Sequence, residues 1–316
     1  MGHDGGETIV QHCSSGRRDK SATTTATLPC WRQVAKESGF CPRDTAEGVV
    51  FDDTMWLSNG YCDGGVLARD LWRSSDGVTW ELVSDNTPYD GYAEMVVYED
   101  RVWAVKDSVW SSVDGVTWNQ TSPTTPFGVR GYGELVVFGG RMWQLGSGAD
   151  VWHTADGVHW DCACADAPYG NRFGPGVAVY HGNLWLLGGA VQQASDPPEK
   201  SYPEFTTHND VWCSADGSNW MRVLEHAPWA ERMWSVATVH GGKLWLLGGF
   251  SNREHVNFAE AWHSEDGMTW QACNDPMFSP RHEVTPYVFE GSLWVVAGNA
   301  WPLVNDVWRL DLLEGT

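Results

Sequence analysis

The chain has 316 residues, 42% hydrophobic and 13% aromatic, with 35 glycines and 21 tryptophans; so aromatic a composition excludes disorder. Lys+Arg 20 against Asp+Glu 41 leaves a net charge of −21, which argues against nucleic acid or an anionic membrane as a partner. No apolar run approaches the roughly 18 residues of a spanning helix, and eight cysteines are too few for a disulfide scaffold.

Residues 1–29 carry Gly16-Arg17-Arg18-Asp19-Lys20 and then Ser, Thr and Ala, without apolar periodicity, and read as a flexible tail. They lack the apolar stretch of a secretory leader. The expected compartment is therefore the cytoplasm, or a secreted or periplasmic one for a chain whose leader has been removed. Residues 30–316 read as one domain that begins with a lone strand, Cys30-Trp31-Arg32-Gln33-Val34. A unit of about 40 residues then recurs. Its marker is Asp70-Leu71-Trp72-Arg73-Ser74-Ser75-Asp76-Gly77-Val78-Thr79-Trp80, with copies at 108–118, 150–160, 210–220 and 260–270. Apolar runs such as 177–180 and 184–187 precede each marker, so each unit predicts strand, turn, strand, loop, strand, Asp-Gly turn and strand.

Tryptophans recur at equivalent places. Trp56, Trp103, Trp143, Trp185, Trp245 and Trp294 fall on second strands; Trp72, Trp110, Trp152, Trp212, Trp262 and Trp308 fall on third strands. Trp80, Trp118, Trp160, Trp220, Trp270 and Trp31 make a fourth-strand column. The last unit stops after Asp306-Val307-Trp308, without a fourth strand. The prediction is an all-β, six-bladed β-propeller of four-stranded antiparallel blades, closed by the N-terminal strand completing the last blade.

The double glycines Gly188-Gly189 and Gly248-Gly249, the Arg before the first strand and the fourth-strand Trp resemble Kelch repeats of the galactose-oxidase-like propellers. The Ser-x-Asp-Gly-x-x-Trp turn also resembles a shortened sialidase Asp-box, a structural hairpin. In length and blade count the chain is similar to the bacterial sialate mutarotases. That resemblance implies isomerase or lyase chemistry on an acidic sugar or similar polar metabolite, although no catalytic residue can be matched individually.

Repeated residues are expected to build the scaffold. Asp70, Asp150 and Asp210, and likewise Asp76, Asp156 and Asp216, should cap turns. The site belongs on the face of the long irregular loops. There, six segments lead into the innermost strands: 43–47, 90–94, 130–134, 172–176, 232–236 and 281–285. Their fifth position reads Glu47, Glu94, Glu134, Gly176, Val236, Thr285. A carboxylate run that breaks the repeat marks Glu47, Glu94 and Glu134, with His282 and Glu283, as the candidate catalytic groups. Arg43, Arg130, Arg172, Arg232 and Arg281 are candidate anion-binding forks or, since five of the six segments carry one, inter-blade salt bridges or carbonyl clamps of the scaffold. Tyr92, Tyr132, Trp234 and Trp301 are candidate stacking surfaces. One side of the mouth should be acidic and the other aromatic.

A metal-assisted version would draw a divalent ion to Glu47, Glu94, Glu134 and His282. The expected partner is a small molecule or carbohydrate; the rival reading is a non-catalytic propeller that binds a protein or glycan through the same face. Cys41 and Cys62 fall in loops of one blade junction and can form a disulfide; the other cysteines read mostly as buried small hydrophobes.

Overall fold

The computed structural model of the protein describes residues 30–192, 205–273 and 278–311; the expected tail at 1–29 lies outside the described residues. Among the described residues every regular element is a β-strand, and no helix is long and apolar enough to cross a membrane. One four-stranded antiparallel sheet runs Glu47–Phe51, Thr54–Ser58, Leu71–Ser74, Glu81–Ser84 in spatial as in chain order. Four more units keep that order, their innermost strands being Glu94–Tyr98, Glu134–Phe138, Gly176–Tyr180 and Val236–His240. A further sheet holds Thr285–Phe289, Ser292–Asn299 and Leu303–Asp311, with Cys30–Ala35 as its outer strand; Trp31 lies opposite Leu310 and Arg32 opposite Arg309. The innermost strands neighbour one another in chain order, and Thr285–Phe289 in turn neighbours Glu47–Phe51. This is consistent with the blades of a propeller.

The repeated residues lock these sheets together. Each second-strand tryptophan donates its indole N–H to the carbonyl five residues earlier, as Trp56 does to Phe51 at 3.1 Å and Trp294 to Phe289 at 3.0 Å. Each fourth-strand tryptophan meets an aromatic ring edge-on, from Phe40 against Trp80 (5.4 Å) to Phe278 against Trp31 (5.6 Å). In the Asp-Gly turns the aspartate caps as expected: Asp76 Oδ1 accepts the amides of Val78 (2.8 Å) and Thr79 (2.7 Å). Gly77 takes φ +70° there, and a side chain on it would run into Trp294 of the sheet that holds both chain ends. The same glycine-on-tryptophan step joins Gly157 to Trp103 and Gly217 to Trp143.

Three small sheets cap the long-loop side. They pair Arg43–Asp44 with Tyr61–Cys62 and Val66–Leu67, Arg172–Phe173 with Ser147–Gly148, Ala190–Gln192 and Phe205–Thr207, and Phe250–Ser251 with Val256–Asn257. Cys41 and Cys62 are joined as a disulfide, their Cα atoms 6.6 Å apart, which fastens the first of these sheets. The expectation for other cysteines is corrected. Cys162 is exposed, and Cys164, Cys213 and Cys273 are half-buried, because third and fourth strands form the outer, partly solvated edge of each sheet.

Candidate functional site

The six segments that lead into the innermost strands share a backbone feature invisible in their letters. Their third residue is left-handed in every case: Thr45 (φ 52°), Tyr92 (63°), Tyr132 (61°), Gly174 (55°), Trp234 (56°) and Glu283 (50°). Such a conformation costs a non-glycine residue of order 1–3 kcal/mol and persists only where the surroundings over-determine it. Here successive segments hold one another. The amide of Thr45 donates to the carbonyl of Glu283 (3.4 Å), Glu283 to Trp234 (3.0 Å), Trp234 to Gly174 (2.7 Å) and Gly174 to Tyr132 (3.1 Å). The five side chains of this ring all line one cavity of about 420 Å3 on the long-loop side. That volume is in the range of small-molecule sites.

The small sheets and loops complete its wall with Asp44, Tyr61, Phe205, Phe250, Asn252, His255, His282, Asn299 and Trp301. Aromatic rings run around most of it. Trp234 stacks on His282 (5.0 Å, 23°) and on Phe250 (5.6 Å, 24°), Trp301 stands edge-on to Phe250 (5.2 Å), and Tyr132 lies between Tyr92 (5.6 Å) and Trp234 (5.9 Å). The expected division into an acidic and an aromatic side is thus replaced by layers, with an aromatic wall above and carboxyls below.

A chain of side-chain bonds sets the polar groups. Asn257 donates its amide to the backbone carbonyl of Asn299 (2.7 Å), so its oxygen faces His282 Nδ1, 2.7 Å away. Nδ1 therefore carries the ring proton and Nε2 keeps a lone pair. Burial pushes the His282 pKa down to about 4, so the ring is neutral. Asn299 donates to Asp44 Oδ2 (2.8 Å) and Thr45 to Asp44 Oδ1 (3.0 Å); burial nevertheless holds the Asp44 pKa above the usual carboxylate range. Glu283 is raised well above that range by burial and by the charges of Asp44 and Glu47.

Glu47, Glu94 and Glu134 do come together, one layer lower. With Glu283, Tyr92 and Tyr132 they line a constriction of about 30 Å3, room for about one water. Below it the channel reopens to about 310 Å3 between the apolar innermost strands. Burial raises the Glu47 pKa to about 7, against the pull of the Met95 amide. Burial and the neighbouring carboxylates also raise Glu94 and Glu134 well above the usual carboxylate range. Glu94 Oε1 accepts from Gln144 (3.3 Å), while Oε2 is buried without a partner.

The arginines go elsewhere. None of Arg43, Arg130, Arg172, Arg232 and Arg281 lines the cavity or the constriction. Each donates to a carbonyl 16 or 17 residues on, as Arg172 does to Gly188 (2.6 Å) and Arg130 to Ser147 (2.7 Å). Each also pairs with the acid before a third-strand tryptophan: Asp70, Asp150, Asp210, Glu260 or Asp306. That acid accepts the indole N–H as well, at 2.7 Å for Trp72 and Asp70. The expectation that Asp70, Asp150 and Asp210 cap turns is corrected accordingly. The segment that has Asp90 in place of arginine belongs to the unit with Ser108 in place of the acid, and Lys106 donates to Gly91 O there (2.6 Å).

Among the described residues no group of three or more His, Cys, Asp and Glu is arranged to hold a metal ion, so the metal-assisted version of the site is not carried forward. Compared with known proteins, the chain matches no family and no curated protein. The groups that residue patterns miss are Phe250, Asn257 and Asn299, which occur outside the repeat, and Asp44, the second residue of an aligned segment, where the other five segments have no acid. The signal for Thr45 was present: it occupies the third position of an aligned segment, beside Tyr92 and Tyr132.

Proposed function

We propose that the chain is a six-bladed, Kelch-type propeller completed by its N-terminal strand. We further propose that the cavity at its channel mouth is the active site of a small-molecule enzyme working by acid–base chemistry of the isomerase or lyase type. The cyclic order of innermost strands and the sheet shared by both chain ends support the architecture. One observation carries the chemistry. His282 and Glu283, adjacent in sequence, line the same cavity, and burial drives them in opposite directions, one toward a neutral base and the other toward a neutral acid. A pair pushed apart in this way can take a proton from carbon at His282 Nε2 while Glu283 gives one to a substrate oxygen, without either group starting charged.

An acidic sugar is not retained as the substrate class. Among the described residues no guanidinium lines the cavity, so a substrate carboxylate would meet Asp44 without a compensating cation. The Cys41–Cys62 bond supports an oxidising compartment. The rival, non-catalytic reading would suit a flat loop face, whereas a concave cavity of about 420 Å3 favours turnover.

The test is exchange with solvent. Polyol, amine and oxo metabolites incubated with the protein in D2O should include one that takes up deuterium at carbon, and His282→Ala should abolish the uptake. Ligands that bind in the cavity with no exchange in any of them would leave the non-catalytic binder as the better reading.

A further inference from the structure

The cavity is lined by carboxyls and aromatic rings. Among the described residues no lysine or arginine lines it. Asp44 is buried, and its side-chain bonds are to the neutral donors Asn299 and Thr45. Arg43, which precedes it in sequence, and Arg281, which precedes His282, are fully buried and held by Asp70 and Asp306. Beneath lie Glu47, Glu94 and Glu134, with Glu94 Oε2 buried and unpartnered. A carboxyl buried among neutral partners takes up its charge more readily beside a positive group, so a ligand cation stabilises the ionised form of Asp44.

The wall decides the kind of cation. A compact, strongly hydrated metal ion needs converging oxygen ligands, and among the described residues no such cluster exists. The rings instead offer faces and edges in several directions: Trp234 and Phe250 within 24° of parallel, Tyr132 tilted 41° from Trp234, and Trp301 at 84° to Phe250. Ring faces attract a large, weakly hydrated ammonium. The positive head can also approach Asp44 in the same cavity.

We infer that the ligand of this cavity, and the substrate of the proposed acid–base reaction, is a small organic cation of the substituted or quaternary ammonium class. The inference rests on that functional reading for the word substrate and on the cavity alone for the word ligand.

Calorimetric titration tests it with choline and its uncharged isostere 3,3-dimethylbutan-1-ol. Choline should bind saturably and about tenfold or more tighter than the isostere, and added salt should weaken it. Trp301→Ala changes a half-exposed rim residue, and Asp44→Asn keeps the shape of the carboxyl. Each should cut choline affinity by about threefold or more, with the melting temperature of Trp301→Ala unchanged. Equal binding of the two probes, no choline binding, or full affinity in both variants overturns the inference, as does saturable binding of glucose without choline. The two readings fail separately. Choline binding with no deuterium exchange in any metabolite removes the enzyme and leaves the cation site; exchange in a neutral substrate without choline binding does the reverse.

Discussion

His282 Nδ1 and Asn257 Oδ1 lie 2.7 Å apart, and the Asn257 amide is anchored on the carbonyl of Asn299. An uncharged acceptor at that place fixes the tautomer without favouring the imidazolium. Asn257→Asp would substitute a carboxylate. The His282 pKa should climb from about 4 toward or past the ordinary histidine value, read by NMR titration of the ring. A titration unchanged by the substitution would mean that the contact does not set the protonation state.

Stability should fall as pH rises through neutrality. Glu47 has a folded pKa of about 7 against an ordinary 4.5. Its burial is therefore free of charge at acid pH, and the fold loses roughly 3 kcal/mol as pH climbs from the lower value through the upper. His282 acts on the other limb: with its pKa depressed to about 4 from 6.5, it withdraws stability as pH falls below its unfolded value. Over about pH 4.5–6.5 the two slopes oppose each other, so thermal melts should be nearly level there and fall off on either side. Glu47→Gln should match the wild type at acid pH and melt higher at pH 8. A lower melting temperature at pH 8 would instead assign Glu47 to a stabilising ion pair.

Arg172 and Asp210 pair with side chains 2% and 9% exposed. Against the effect of burial, the Arg172 bonds hold the Asp210 pKa below its usual value. Arg172→Met strands that carboxylate and should cost about 3–5 kcal/mol. Arg130→Met should cost less, because that pair is 13% and 25% exposed. Denaturant unfolding measures both. An Arg172 variant of full stability that had lost ligand affinity would return the arginine to the binding site.

Replacing Cys41 and Cys62 by serine opens a closed loop with a sequence separation of 21 residues and should cost about 3 kcal/mol. The damage should concentrate on the paired strands Arg43–Asp44 and Tyr61–Cys62, and so reach Asp44 in the cavity wall. Melting with and without reductant checks this. Identical curves, with both thiols alkylated in the unreduced protein, would contradict it.

What could be read from sequence follows from what repeats. The all-β, four-stranded units were legible because Trp56, Trp103 and their equivalents recur at one spacing, and so do the Asp-Gly turns. The carboxyl cluster was legible as a break in that recurrence at Glu47, Glu94 and Glu134. The clamping of carbonyls by the arginines was readable from their recurrence, but their acid partners were not: Arg172 and Asp210 are 38 residues apart, and no local pattern says that they meet. Nor could the second wall be read. Phe250, Asn257 and Asn299 reach the cavity from strand ends and short strands outside the repeat, and Asp44 from an aligned segment, at a position where no other segment has an acid; the direction of each depends on which neighbouring strand it joins. The left-handed ring was equally hidden, since threonine, tyrosine, tryptophan and glutamate share no conformational preference that marks it.

The central claim is that the channel mouth holds a protonated carboxyl beside a neutral imidazole at neutral pH. Infrared difference spectroscopy between the wild type and Glu283→Gln at pH 7 measures it directly. A protonated-carboxyl band in the wild type that loses intensity in the variant is the predicted result. A wild-type spectrum with no protonated carboxyl at pH 7 would show the buried glutamates ionised, and the acid–base account would fall.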